Sequence, residues 1–463
     1  MTATLLHRRA GRLIFGASLC VAAAGACAPR VVSVGAALPP AVTPAAPTDS
    51  PGAAPLPAER FLSHIAVLAH DDLGGRGIGS DGIDLAAGYI AGQFAAAGLV
   101  PGGPDGSYFQ RFTVDRSSIW KGMLRFAGKA GQGDAAEPLV ARNVLGLLPG
   151  MGPHAGEYVV IGAHYDHLGT RGKRIYNGAD DNASGTAGVI EIARKLACAG
   201  YRDRSVVFAA FAAEELGLHG SAHYVAHPAA EMASTVAMLN LDMIGRLTPE
   251  DEANMLAVHG LGTGDSFRRI VERRAAGRGV RFIPEESALG PSDHSSFYRA
   301  GVPALFFFTG IHGDYHRPSD DIDTVNAAGG AEVAALAHDI ALEIINGDLA
   351  PGYVEVDRPA RIFRGSTPPG PRAVLGIVPD PDDDPDEPGC RVRHVVAGGG
   401  ADRAGIRPDD RVISIAERLI EDLEDFAAAL SDQKNAGDVV RVVVRRAETE
   451  LVLDVALTAP GEE

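Results

Sequence analysis

Five apolar runs of strand length constrain this chain most: Tyr158–Ala163, Val206–Ala212, Val236–Leu241, Asn254–Val258 and Val302–Phe308. A strand with one face in water alternates apolar and polar residues, so nearly unbroken apolar runs need cover on both faces. Helical spacing fills the intervals, from Thr186 to Leu196, over Phe267–Arg274 and over Ala327–Ile345. Upstream, Arg60–His70 and Ile83–Gly98 also read as helices, with His70–Gly77 as the loop between them, and Val140–Leu148 reads as a strand. The alternation predicts an α/β fold, a three-layer α/β/α sandwich around a mostly parallel sheet. In such sheets, sites gather beyond the carboxyl ends of the strands.

Metal-capable side chains stand at those ends. The run through Ala163 passes directly into His164, Asp166 and His167, and a short loop later come Asp180 and Asp181. Glu214-Glu215 follows the second run, Asp242 the third, and Tyr315-His316 lies beyond the last. A carboxylate pair at the end of a buried strand is costly unless something compensates the charge. Two imidazoles with several carboxylates form a mixed nitrogen and oxygen donor set, suited to zinc or another borderline divalent ion rather than calcium. Ser184 and Ser292 have no nucleophile-elbow context, and cysteine chemistry has no support, so a covalent hydrolase is not expected. Cys198 reads as a small core residue within an apolar helix.

These segments closely resemble peptidase family M28, mostly zinc aminopeptidases with a dinuclear centre. GAHYDHLG, NGADDNASGTAG, FAAEELGLHGS, NLDMIGR, SDHSSF and DYHRPSD match its motifs in order, and the resemblance spans roughly Arg60–Ile345. It implies the zinc-exopeptidase version of the sandwich, with two Zn²⁺: His164 and Asp242 on one, Glu215 and His316 on the other, and Asp181 bridging. Asp166 would orient His164 through its other ring nitrogen, Glu214 would be the general base, and Tyr315 would stabilise the oxyanion. A cis peptide would follow the bridging residue, at Asp181–Asn182. Three ligand carboxylates against two Zn²⁺ leave one positive charge, which a bridging hydroxide would neutralise. His167, His219, His223, His227 and His312 match no ligand position. Asp180 either supports the site or caps the following turn, and Asp293-His294 reads as packing near the site.

After a Pro- and Gly-bearing linker at 351–370 the pattern changes to short strands, Val374–Val378, Cys390–Val396, Arg411–Ile415, Val439–Arg445 and Leu451–Leu457, with a helix at Leu423–Leu430. This β-rich segment, 371–460, resembles a PDZ domain. The resemblance implies that Leu375, Gly376 and Ile377 form the loop whose N–H groups receive a peptide carboxylate, while the peptide adds as a strand at the sheet edge. Asp409 stands where such domains usually have Gly, a turn position that Asp tolerates. The acidic, Pro-rich loop Pro379–Pro388 would disfavour acidic peptide tails.

The N-terminus reads as a targeting segment, residues 1–27: basic at His7, Arg8, Arg9 and Arg12, apolar over Leu13–Ala26, with a small-residue cleavage site before Cys27. Cys27 also resembles a lipid attachment point, so periplasmic and lipid-anchored destinations are both expected. Residues 28–57 form a Pro/Ala-rich tether, and 58–350 the metallopeptidase-like domain. A formal net charge of −17 excludes nucleic acid and anionic membrane surfaces as partners. The expected substrates are peptides with a free N-terminus, with a peptide or protein C-terminus as a partner of the PDZ-like segment. Two rivals remain: a PDZ-centred binding protein on an inert peptidase scaffold, and a carboxypeptidase-like or glutaminyl cyclase-like M28 reaction.

Overall fold

The computed structural model describes residues 56–115, 138–247, 256–278, 280–356, 374–380, 387–420, 425–426, 429–430 and 435–458. The targeting segment with Cys27, most of the tether, most of the linker and most of the Pro379–Pro388 loop lie outside the described residues, as does part of the Leu423–Leu430 helix. The first region runs α1 (Ala58–Leu68), α2 (Asp81–Ala96), β1 (Val100–Pro101), β2 (Phe109–Val114), β3 (Leu139–Leu148), β4 (Tyr158–His164), β5 (Gly169–Arg171), β6 (Arg174–Tyr176) and α3 (Gly185–Cys198). It continues through β7 (Ser205–Phe211), α4 (His219–Ala226), β8 (Thr235–Leu241), β9 (Leu256–His259), α5 (Phe267–Ala275), β10 (Phe282–Pro284), α6 (His294–Arg299), β11 (Ala304–Phe308) and α7 (Ala327–Asn346).

The main sheet has nine strands in the order β1-β3-β7-β4-β8-β11-β9-β10, with β2 paired to β3. Its centre, β7-β4-β8-β11, is parallel, and the flanking β3 and β9 join it antiparallel. Alternation explains the unbroken apolar runs. Val206, Phe208 and Ala210 of β7 enter one core with α1, α2, α3, α5 and α7, while Val207, Ala209 and Phe211 enter a second with α4 and α6. Both faces are therefore dry, and polar groups are displaced to the strand ends. Side-chain caps fix two helix starts: Ser80 Oγ accepts from Ile83 N at 3.3 Å, and Asn326 Oδ1 from Gly329 N at 2.9 Å.

Two local features depart from the expectations. The segment before Leu139 contributes β2, a sheet-edge strand along β3 that short-range pattern did not signal. Cys198 is exposed, not in the core. It closes α3 two residues after buried Leu196, about 200° round the helix and so on the opposite face.

The second region comprises β12 (Ile377–Pro379), β13 (Cys390–Val395), α8 (Gly400–Ala404), β14 (Arg411–Ile415), β15 (Arg418–Leu419), β16 (Val439–Arg446) and β17 (Thr449–Ala456). Its six-stranded sheet runs β12-β13-β14-β16-β17, with β15 on β14, and every pairing is antiparallel. Val440, Val442 and Val444 turn inward to a separate core. Asp409 takes the left-handed conformation, φ 68°, that its turn demands. Gly376 does the same at φ 81°, with Leu375 and Ile377 buried on either side.

Candidate active site

The site is assembled where the parallel strands end. β4 delivers His164, the segment after β7 delivers Glu214-Glu215, and β8 leads into Asp242. Asp181 comes from the tight turn Ala179–Ser184 that opens α3, and the Asp181–Asn182 peptide is cis, as the family resemblance implies. Asp320 holds this turn in place, its carboxylate accepting from the N–H groups of Asp180 (3.1 Å) and Asp181 (3.0 Å). Asn182 ties the turn to β8, donating to Leu241 O at 3.0 Å and accepting from Met243 N at 3.2 Å. Asp180 accepts from Gly245 N at 2.6 Å and from Ser184 Oγ at 3.0 Å, and lies 3.2 Å from His312 Nε2. It is thus a brace of the site.

Asp181 faces both imidazoles. Its Oδ1 is 3.3 Å from His164 Nε2 and its Oδ2 is 3.3 Å from His316 Nε2. His164 Nε2 is also 3.3 Å from Asp242 Oδ1, and His316 Nε2 is 3.2 Å from Glu215 Oε2. Donors held at about 2.0–2.2 Å around a tetrahedral zinc lie about 3.3–3.6 Å apart, and these separations match; His164, Asp181 and Glu215 form one group with metal-binding spacing. Glu214 joins His164 and Asp242 in a group with metal-binding spacing. The donor set and its burial therefore fit zinc.

Electrostatics point the same way. Burial opposes a charge on His164, yet Asp242 and Glu214 outweigh it and hold the imidazole well above its usual pKa. Burial likewise opposes charge on His316, and Glu215 is the first carboxylate to override it. Burial would push Asp181 up, but His167, His164 and His316 pull it well below the carboxylate range. Glu214 moves the other way, held well above that range by burial, with the Glu215, Asp293 and Asp242 carboxylates adding to the effect against His164. Burial also keeps the Tyr315 hydroxyl well above its ordinary value, so it remains a donor. Its ring stacks on His316, centroids 3.8 Å apart.

One expected contact is different. His164 Nδ1 is 3.2 Å from the backbone O of Asp166, whereas the Asp166 carboxylate is 3.9 Å away. That carboxylate accepts instead from the N–H groups of Glu214 (3.2 Å) and Glu215 (3.4 Å). Asp166 thus orients His164 through its main chain and the Glu pair through its side chain.

Four residues at the site hold positive φ without being Gly: Arg76 (51°), Ala213 (59°), Met243 (52°) and His316 (58°). Such backbone conformations persist where the surroundings over-determine them. Arg76 was hidden in the expected loop between α1 and α2, which folds as a short 3₁₀ segment. Its fully buried guanidinium donates to four main-chain carbonyls: Tyr165 and Asn177 at 2.7 Å, Gly178 at 2.9 Å, and Leu68. Burial lowers its pKa to about 10, against the pull of Asp166 and Asp181, so it stays charged at neutral pH. Ser292, set aside as a nucleophile, and His167, which matches no ligand position, both touch candidate ligands. Ser292 Oγ donates to Asp242 Oδ2 at 2.7 Å, and His167 Nδ1 lies 2.8 Å from Glu215 Oε1. Asp293 and His294 pack nearby, both buried.

The sequence model of peptidase family M28 matches residues 143–341, and that of the PDZ domain matches 373–457. Aminopeptidase YwaD of Bacillus subtilis is 32% identical over 193 residues, which is 40% of this chain and 41% of that protein. Leupeptin-inactivating enzyme 1 of Streptomyces exfoliatus is 31% identical over 281 residues, 60% of this chain and 54% of that protein. The chain thus spans about half the length of these two relatives. The solved structure of BSAP, a zinc aminopeptidase from Bacillus subtilis, superposes with a TM-score of 0.52 at 20% identity, covering 65% of this chain and 98% of that one. It shares the fold. This chain carries a peptidase family M28 domain at 143–341, followed by a PDZ domain at 373–457.

Proposed function

We propose that the chain is a zinc-dependent aminopeptidase that removes residues from the free N-termini of peptides. The observation that carries this reading is Asp181, with one carboxylate oxygen at 3.3 Å from each of two imidazoles. His164 and Asp242 would hold one ion, Glu215 and His316 the other, and Asp181 both. Zinc bound there supplies a Lewis acid for the scissile carbonyl and lowers the pKa of an attacking water.

The protein's own groups do the rest. Glu214 has its affinity for a proton raised by burial. It is suited to take a proton from the attacking water and return it to the leaving amine. Tyr315, kept protonated by burial, is suited to donate to the oxyanion that develops on the carbonyl. Asp166 aligns the Glu214-Glu215 main chain, so base and ligand stay in register. The descriptions of the similar Bacillus subtilis proteins as aminopeptidases support the choice of reaction. The basic and apolar start of the chain supports export, with the PDZ domain recruiting a peptide or protein C-terminus.

The test is a peptide mixture read by mass spectrometry, comparing free with N-acetylated peptides and with or without a zinc chelator. Stepwise, chelator-sensitive loss from free N-termini alone is the expected result. No cleavage by metal-loaded protein would move the reading to a binding protein, and cleavage of acetylated peptides to another hydrolase.

A further inference from the structure

Glu215 divides its two oxygens between two histidines. Oε2 is 3.2 Å from His316 Nε2, at the spacing of co-ligands, while Oε1 is 2.8 Å from His167 Nδ1, at hydrogen-bond distance. His167 Nδ1 is 3.8 Å from Asp181 Oδ2, beyond a hydrogen bond, so its donation goes to Glu215 alone of these two carboxylates. An ionised carboxylate only accepts, and the proton on the imidazole must therefore sit on Nδ1. His167 Nε2 is buried with no partner among the described residues.

The ring has no freedom to do otherwise. Its side chain is fully buried, and its plane stands edge-on to His316 at a centroid distance of 5.7 Å. Gly178, at φ 54°, makes room for it: a Cβ there would lie 2.5 Å from two atoms of the His167 ring. The carbonyl of that glycine is gripped by Arg76, whose own carbonyl accepts from His167 N at 3.4 Å. The main chain of His167 and the wall behind its ring are thus both held by Arg76.

We propose that His167 is a positioning residue for the second metal site: by donating Nδ1–H to Oε1 it commits that oxygen and presents Oε2 as a single-oxygen ligand beside His316. The inference rests on the zinc reading given above. Without the donor, Glu215 is free to rotate or to offer both oxygens, and the preformed spacing to His316 is lost. Hydrogen bonds of this kind to ligating groups typically change metal affinity by about 10–100-fold.

The experiment measures zinc stoichiometry and stepwise affinity by competition with a chromogenic chelator, on the full chain and on His167→Ala and His167→Asn. The Asn side-chain nitrogen occupies nearly the position of Nδ1 and keeps a donor there. Native protein should bind two ions. His167→Ala should keep the first and hold the second about 10–100-fold more weakly, and His167→Asn should return the second to near its native affinity. Native protein that binds fewer than two ions would overturn the zinc reading itself. Two native ions with His167→Ala undiminished would overturn only the role of His167. His167→Asn as deficient as His167→Ala would also overturn it, since the donor would then not be what matters.

Discussion

The two sheets use burial in opposite ways. The centre of the nine-stranded sheet is dry on both faces, and its ionisable groups are collected at one end: His164, Asp166, Glu214 and Asp242 are all buried there. The six-stranded sheet spends its buried charge on architecture. Asp410 takes two hydrogen bonds from Arg446, at 2.6 and 2.7 Å, and accepts from Arg407 N, closing a turn. Among the described residues β12 itself pairs with β13 alone, while Val374 before it bridges to Thr458, which leaves one edge of β12 for another strand. A sheet covered on both sides can concentrate charge for chemistry at its strand ends. A sheet with one open edge offers backbone for recognition.

The contrast is sharpest at Glu214. Glu214→Gln should lower turnover by about 10²–10⁴-fold, while thermal melting and zinc content stay at native values. A comparable loss of zinc would mean that Glu214 is a ligand and not a base. Arg76→Met should come next. Removing the buried guanidinium takes a donor from four carbonyls, of which Gly178 O keeps Ala183 N, and a loss of about 3–5 kcal/mol is expected from the peptidase region in denaturant unfolding. Ile415→Ala, in the core of the PDZ domain, should cost that domain about 2–5 kcal/mol. Turnover of a short peptide should be unchanged, and a parallel fall would show that the two regions are not energetically separate.

The smallest effect concerns pH. Buried Glu191 on α3 receives Arg60 at 2.7 Å and His64 at 3.0 Å from α1. Burial would raise its pKa, but the hydrogen bonds from His64 and Arg60 win and lower it. A depressed folded-state pKa contributes stability that is present above the unfolded carboxylate value and lost as pH falls through the folded one. The docking of α1 should therefore weaken below about pH 4, seen as faster amide exchange in Ala58–Leu68, and Glu191→Gln should flatten that dependence.

The sequence announced the parts of the site that sit on regular elements. His164, Glu215 and Asp242 follow apolar runs directly, so strand period alone places them at one edge. Asp181, Tyr315 and His316 were legible through their motifs. What pattern could not supply was direction. Nothing in HDDLGGRG says that Arg76 turns inward under a positive φ, because three of the four carbonyls that receive it lie far off in the chain. The neighbours His164 and His167 look alike as letters, yet one faces Asp181 and Asp242 and the other Glu215. Ser292 reads as an ordinary hydroxyl until Asp242 is beside it. Cys198 misled because an apolar helix was taken as buried all round, whereas Cys198 lies on the face opposite buried Leu196.

Arg76 also separates the boundary of kinship from the boundary of folding. It lies upstream of the span that matches peptidase family M28, yet it grips the carbonyls on both sides of the loop leading to Asp181. A fragment trimmed to 143–341 would contain every candidate ligand and lack the cation that keeps them facing one another. Such a fragment should behave as a complete parts inventory without an assembled centre, and supplying residues 56–115 in trans is the natural attempt at restoring it.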